Sequence, residues 1–216
     1  MVLPRHLPTN SNTNCLKNNY EPKSCHHISL VSSRSGASDT TAITVDASQG
    51  VTFAGTVSGV IKSGTATAST SGTSIDFTGI PATAKRITVL FNGVSSNGTA
   101  SFTVQIGSGS VDTTGYVAGS TYILNASTIT NVGSTTYTTG FGLNTVGSAA
   151  TTLSGAMVLY QVDTNAWVAS GSFNATNTGA TTITNGRKTT SGALDRVRIS
   201  ANSDTFDAGS INILWE

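Results

Sequence analysis

The most constraining feature of this chain is that nearly every stretch of it favours strands and turns over helices. Serine and threonine together make up about 30% of the 216 residues, and glycine contributes 23. The helix-stabilising residues glutamate, lysine, arginine, glutamine and methionine are scarce. β-Branched side chains pack well on a pleated surface, and glycine and asparagine suit turns. The sequence therefore predicts an all-β protein with a thin core built from alternate residues.

Charge and hydropathy narrow the classes of partner. Only 10% of the residues are charged, and the formal net charge is +1. This balance lacks the basic character that proteins use to bind nucleic acid or an anionic membrane. The longest apolar runs are a few residues, far short of the roughly 18 that a membrane-spanning helix needs. We therefore expect no nucleic-acid binding and no membrane insertion.

Composition divides the chain into three regions, of which residues 1–38 form the first. They hold three of the four prolines, all three histidines and both cysteines, with no periodic apolar pattern. We interpret them as a disordered or attachment tail, and a second interpretation is that Met1 is not the native start. No secretory signal is recognisable. The spacing of Cys15, Cys25 and the adjacent pair His26-His27 does not fit a zinc site, so we expect no metal.

Residues 39–68 form the second region and alternate between apolar and polar side chains. Ile43 and Val45 flank Thr44, and Val51 and Phe53 resume the pattern after a turn. The alternation predicts two or three short strands. Because they carry too few apolar residues to bury a core alone, we interpret the region as a β-rich neck that needs a partner.

Residues 69–216 form the third region and predict an antiparallel β-sandwich or jelly roll of about 8–10 strands. Asn97-Gly98 is a turn signal that predicts a hairpin between the strands on either side. The predicted strands are 74–77, 86–92, 101–107, 116–124, 134–143, 153–162, 166–173, 195–200 and 210–216.

The third region contains little that could carry chemistry. It has no histidine and no cysteine, which excludes Ser-His-Asp and Cys-His arrangements there. Asp204 and Asp207 are a candidate acid pair or calcium site, although a turn and a loop explain them better. Arg196 and Arg198 beside Asp195 predict a salt-bridged outer strand face rather than a phosphate site. We expect no catalytic residue, no cofactor and no metal, and we interpret the protein as not an enzyme.

Four aromatic residues are the candidate ligand-binding side chains. Exposed aromatic rings can stack on sugars, whereas most aromatic residues of β domains belong to the core or an interface. The candidates are Tyr116, Tyr122, Tyr137 and Trp167.

Nine stretches within residues 70–216 carry a resemblance to a known family. They are Gly72–Pro81, Lys85–Val94, Ser95–Thr99, Val104–Gly107, Thr113–Tyr116, Thr139–Gly142, Trp167–Gly171, Ser191–Ile199 and Asp204–Glu216. In these stretches the region resembles a C-terminal β domain of bacteriophage tail-fibre and other virion structural proteins. The region 43–57 is also similar to the β-rich shaft or neck segments that precede such domains.

The resemblance implies a homotrimeric appendage tip in the phage particle, encoded by a phage or prophage. Its implied partners are identical copies, other virion proteins and a host-surface glycan, and it transfers no catalytic residue. The alternative function is a carbohydrate-binding module or adhesin domain on the bacterial surface. Sugar binding would require solvent-facing aromatic rings in a concavity, whereas assembly would require apolar residues on a flat face.

Overall fold

The structure, a computed structural model, describes residues 43–45, 51–53, 60–124, 134–144, 148–176 and 179–216. The chain divides into two compact units, Met1–Ala54 and Gly55–Glu216. In the first unit, β1 (Ile43–Val45) and β2 (Val51–Phe53) pair antiparallel. This confirms the strands predicted there. The tail predicted at residues 1–38 lies outside the described residues.

The described part of the second unit consists of strands and their connections. In chain order the strands are β3 (Lys62–Ser63), β4 (Thr67–Ala68), β5 (Ser74–Thr78), β6 (Arg86–Ser96), β7 (Phe102–Ser108), β8 (Ser110–Val111), β9 (Val117–Leu124), β10 (Ser134–Tyr137), β11 (Phe141–Leu143), β12 (Leu153–Asp163), β13 (Ala166–Ala175), β14 (Ala180–Thr189), β15 (Arg196–Ser200) and β16 (Phe206–Trp215).

These strands form two antiparallel sheets. The large sheet has nine strands in the order β10-β9-β14-β13-β12-β6-β16, with β3 and β4 both pairing with β16. The small sheet has five strands in the order β11-β7-β15-β5, with β8 pairing with β7. The predicted all-β antiparallel sandwich is confirmed, and the ten strands of four or more residues account for the predicted number.

The core lies between the two sheets because the inward positions of their strands are apolar. Along β13, buried and exposed residues alternate, and the large side chains of Trp167 and Phe173 are both on the buried face. The rings of Phe102 in the small sheet and Phe206 in the large sheet lie 5.4 Å apart between centroids. Aromatic contacts of this kind stabilise a core beyond the burial of their area.

Buried hydroxyl groups join β11 of the small sheet to β14 of the large sheet. Thr184 of β14 donates a hydrogen bond to the Gly142 carbonyl of β11 at 2.7 Å, and its Oγ1 lies 3.0 Å from Ser120 Oγ. Thr182 donates to the Asn144 carbonyl at 2.9 Å. Both threonines are fully buried. Because their hydroxyl groups form hydrogen bonds, they avoid the free-energy cost of burying a polar group without a partner. The hydroxyls therefore fasten β11 to the large sheet.

The hairpin predicted at Asn97-Gly98 is wrong. The strand before it, β6, lies between β12 and β16 in the large sheet, whereas the strand after it, β7, lies in the small sheet. The Asn97 N–H donates to the Thr205 carbonyl at 2.9 Å, and the Asn97 side chain accepts from the Thr205 N–H at 2.9 Å. The connection is therefore an arch that crosses between the sheets and is held by the loop before β16.

Three further assignments differ from the sequence and one agrees with it. The strand predicted over residues 134–143 is divided, because β10 pairs with β9 in the large sheet and β11 pairs with β7 in the small sheet. β3 and β4 fall within the region assigned to a neck, yet both pair with β16, so the large sheet includes the end of that region. β14 was not predicted, because its inward positions are threonines as well as apolar residues. The predicted turn after residue 162 is confirmed: β12 and β13 pair across it.

Shifts in strand register, where β12 and β16 each pair with β6, bend the large sheet. β16 shifts register against β6 around Ala208, and β12 shifts against β6 between Leu153 and Gly155. Gly209 has a φ of +95°, and a Cβ built there would overlap the carbonyl of Gly93. β-Bulges of this kind increase twist and re-aim a strand.

Gly209→Ala should therefore lower the free energy of unfolding by about 1–3 kcal/mol more than a matched control, because close packing leaves no room for the added methyl group. The control is Gly79→Ala, since Gly79 has a φ of +74° with no atom within 4 Å of the built Cβ. Urea unfolding of both variants measures the difference. Equal losses would show that the contact with Gly93 has no energetic weight.

Candidate functional site

The four predicted aromatic candidates are not grouped on the surface. Tyr116 and Trp167 are each only 2% exposed. The prediction that they are surface residues available to a ligand is therefore wrong, because both belong to the core. Tyr122 on β9 and Tyr137 on β10 are half-buried, and Tyr137 packs against the core beside Gly142. The buried pair cannot offer a ring face for sugar stacking.

Tyr116 is instead a structural link between elements. Its hydroxyl accepts a hydrogen bond from the Ile106 N–H at 2.8 Å and lies within donating distance of the Ile106 and Asp112 carbonyls, at 3.1 and 3.0 Å. Its ring meets Phe141 edge-on, 5.1 Å between centroids. Burial raises the pKa of Tyr116 well above its ordinary value, and the nearby Asp112 carboxylate adds to this effect.

A partly buried ion pair covers the Tyr116 ring. Lys188 Nζ lies 3.0 Å from Asp112 Oδ2 and 5.3 Å from the centroid of the ring. The lysine side chain is 10% exposed. A cation at this distance from an aromatic face gains from the charge distribution of the ring. The cluster is satisfied within the chain and therefore stabilises the fold.

Asp204 and Asp207 are each used to hold the arch between the sheets. Asp204 accepts from the Ala100 N–H at 2.7 Å and from Ser96 Oγ at 3.3 Å. Asp207 accepts from the hydroxyl of Ser95. Asp204 lies in the predicted turn, whereas Asp207 lies within β16 and not in the loop predicted there, because β16 already begins at Phe206.

The predicted salt-bridged strand face is confirmed on the small sheet. Arg196 Nε lies 2.7 Å from Asp195 Oδ1, and Arg198 reaches both carboxylate oxygens of Asp76 at 2.6 Å. The hydrogen bond from Arg196 lowers the pKa of Asp195. Both arginines are thus paired within the chain.

An open cleft of about 680 Å³ lies at the turn between β12 and β13. Lys85 Nζ donates to Gln161 Oε1 at 2.6 Å, and Gln161 Nε2 donates to the Thr164 carbonyl at 2.6 Å. The lining of the cleft is mostly polar and comprises Ala82, Lys85, Gln161, Val162, Asp163, Thr164, Asn165 and Ala193.

The outer face of the large sheet carries an unusual row of side chains, one from each neighbouring strand. Backbone register places these residues side by side across β9, β14, β13, β12, β6 and the end of β16. Ile61, just before β3, extends the row because the next residue, Lys62, pairs with Trp215. We call this set the outer row: Val117, Arg187, Val168, Tyr160, Arg86, Glu216 and Ile61.

The apolar members of the outer row are exposed. Val117 is 60% exposed, Ile61 56%, Tyr160 44% and Val168 38%. Of these residues, Tyr160 and Val168 are cross-strand neighbours, and adjacent apolar side chains left in contact with water mark interaction surfaces in soluble proteins. The sequence offered a signal for this face: Met157 to Tyr160 is a continuous apolar run, so a strand there must be apolar on both faces.

Metal-binding clusters and membrane-spanning helices are absent from the described residues. Within the described ranges, no group of three or more His, Cys, Asp or Glu side chains could hold a metal ion. That part of the chain also has no helix long and apolar enough to cross a membrane. Comparison of the whole chain with protein-family profiles, with curated proteins and with solved structures found no match.

Tyr116→Phe should destabilise the protein by about 1–3 kcal/mol at neutral pH, because it leaves the buried Ile106 N–H without its partner. Tyr122→Phe, which removes a hydroxyl from a half-buried ring, is the control. Urea unfolding compares the two variants, and equal losses would contradict the linking role of Tyr116.

The same variant should alter the pH dependence of stability. The unfolded chain releases the Tyr116 proton near pH 10, whereas the folded chain retains it because the pKa is raised. Stability is thus present below pH 10 and falls above it, by about 1.4 kcal/mol per pH unit from this group. Tyr116→Phe should lack that part of the alkaline slope, and an unchanged slope would contradict the raised pKa.

Proposed function

We propose that this chain is a non-enzymatic structural subunit of a phage or prophage virion, in a tail fibre or appendage tip, that assembles with identical copies. The observation that carries the proposal is the exposed apolar face centred on Tyr160 and Val168. An exposed apolar sheet face is suited to packing against another protein surface. The low charge of the chain favours identical copies, since few like charges would repel.

The virion setting and the number of copies come from the sequence resemblance. It supports a homotrimer, other virion proteins as neighbours, and contact with a host-surface glycan. Attachment to a host belongs to the same proposal, with the virion as the site where the protein acts.

Light scattering coupled to size exclusion tests the assembly directly. At micromolar concentration the full chain should have about three times its monomer mass of 21.9 kDa. Val168→Glu should reduce that mass, because it places a charge in the apolar face. Thr78→Glu, on the exposed face of the small sheet, is the matched control and should leave the mass unchanged. A monomeric wild-type protein would contradict the proposal.

A carbohydrate-binding module or surface adhesin is the second candidate, and the cleft favours it. Its lining includes polar side chains that can form hydrogen bonds with a sugar, among them Gln161, Asp163 and Asn165. Tyr160 lies on the opposite face of β12 from Gln161 and does not line the cleft. Under this alternative, Asn165→Ala would abolish binding of the full chain on a glycan array, whereas no bound glycan would count against it.

A further inference from the structure

We infer that the outer row is self-complementary, so that Arg187 of one copy pairs with Glu216 of the next. This inference rests on the proposed assembly and specifies the face through which copies meet. The partner is therefore a second copy of the same chain, and the contact is made side chain to side chain across the large sheets.

The order of side chains in the outer row is the first support. Tyr160 on β12 stands at the centre of seven positions. Arg187 lies two strands to one side, and Glu216 lies two strands to the other. Neighbouring strands are about 4.8 Å apart, so the two charges lie at similar distances from Tyr160.

Reversal of the row gives matching pairs at the outer positions as well. Val117 and Ile61 occupy the third position on either side of the centre, and both are more than half exposed. When the row faces its own reversed copy, these two apolar side chains meet. Val168 then faces the aliphatic part of Arg86, which arginine side chains commonly present to apolar surfaces.

A rotation axis parallel to β12 and next to Tyr160 produces this reversal. Rotation about such an axis leaves the position of each residue along the strand direction unchanged. The half of the outer face that contains Arg187 then meets the half of the next copy that contains Glu216. A two-fold axis achieves this with two sheets face to face, whereas a three-fold axis inclines the sheets and brings together only the pairs farther from the axis, Arg187 with Glu216 among them. The side chains nearest the axis are then uncharged, because Ala156 and Val158 precede Tyr160 on the outer face of β12.

The charges of the row are also available for a contact between copies. Arg187 is exposed and forms no ion pair with any described residue. Glu216 binds Arg86 of its own chain at 2.9 Å, and its side chain is 28% exposed. A carboxylate can accept hydrogen bonds from two guanidinium groups, since it has two oxygens. Glu216 can therefore keep Arg86 while it accepts Arg187 of the next copy.

Charge reversal in the full-length protein tests the pairing. Arg187→Glu should raise the dissociation constant of the assembly at least about tenfold, because it sets two carboxylates against each other in the contact. Glu216→Arg should weaken it similarly. The double variant Arg187→Glu with Glu216→Arg should recover most of the lost affinity. Thr78→Glu, on the other sheet, is the control for added negative charge, and circular dichroism confirms that each variant is folded.

Sedimentation equilibrium distinguishes failure of this inference from failure of the proposed function. A wild-type monomer would overturn both. A wild-type assembly that Arg187→Glu leaves intact, or that the double variant fails to restore, would overturn the pairing alone. Weakening by each single variant and recovery by the double variant would support it, whether the copies number two or three.

Discussion

Strand β12 carries apolar side chains on both of its faces, and the sandwich buries only one of these faces completely. Met157 and Leu159 pack between the two sheets, where neither is exposed to solvent. Val158 and Tyr160 stand on the opposite face, which no other part of the described sandwich covers completely. Hydrophobic burial is the dominant favourable contribution to folding and to most association. The inner face therefore holds the sandwich together, and the outer face is free to hold copies together.

Several polar groups of the sandwich are satisfied by contacts that lie away from the outer row. Buried Thr182 and Thr184 satisfy the carbonyls of the segment around β11, and Asp204 fixes the arch between the sheets. Tyr116 joins β7 to the segment before β9 through its hydroxyl. Because these contacts are made within the chain, they stabilise the scaffold and leave the outer row available for the proposed contact between copies.

Fold class and most strands could be predicted from the sequence, because alternation and turn residues act locally. The β12–β13 hairpin followed from the polar turn at Asp163. The Asn97-Gly98 hairpin failed for a nonlocal reason: the side chain of Asp204, far along the chain, holds that connection as an arch. β14 was missed because buried threonines replace the apolar alternation that reveals a strand.

The candidate site was harder to predict than the fold. Aromatic residue type suggested Tyr116 and Trp167, yet burial depends on which strand face each one occupies. The outer row is assembled from residues that are remote in the chain, from Ile61 to Glu216, and only the strand order places them side by side. Residue spacing within one strand carries no information about that order.

Cross-linking tests the central claim, that the two halves of the outer face meet between copies. Val117→Cys and Ile61→Cys would be combined in a chain with Cys15→Ser and Cys25→Ser. The two positions lie six strands apart within a copy, roughly 29 Å, whereas packed sheets are about 10 Å apart. A short bismaleimide should therefore join different copies of the double variant, and neither single variant should cross-link. The absence of a covalent oligomer from an assembled double variant would contradict the account.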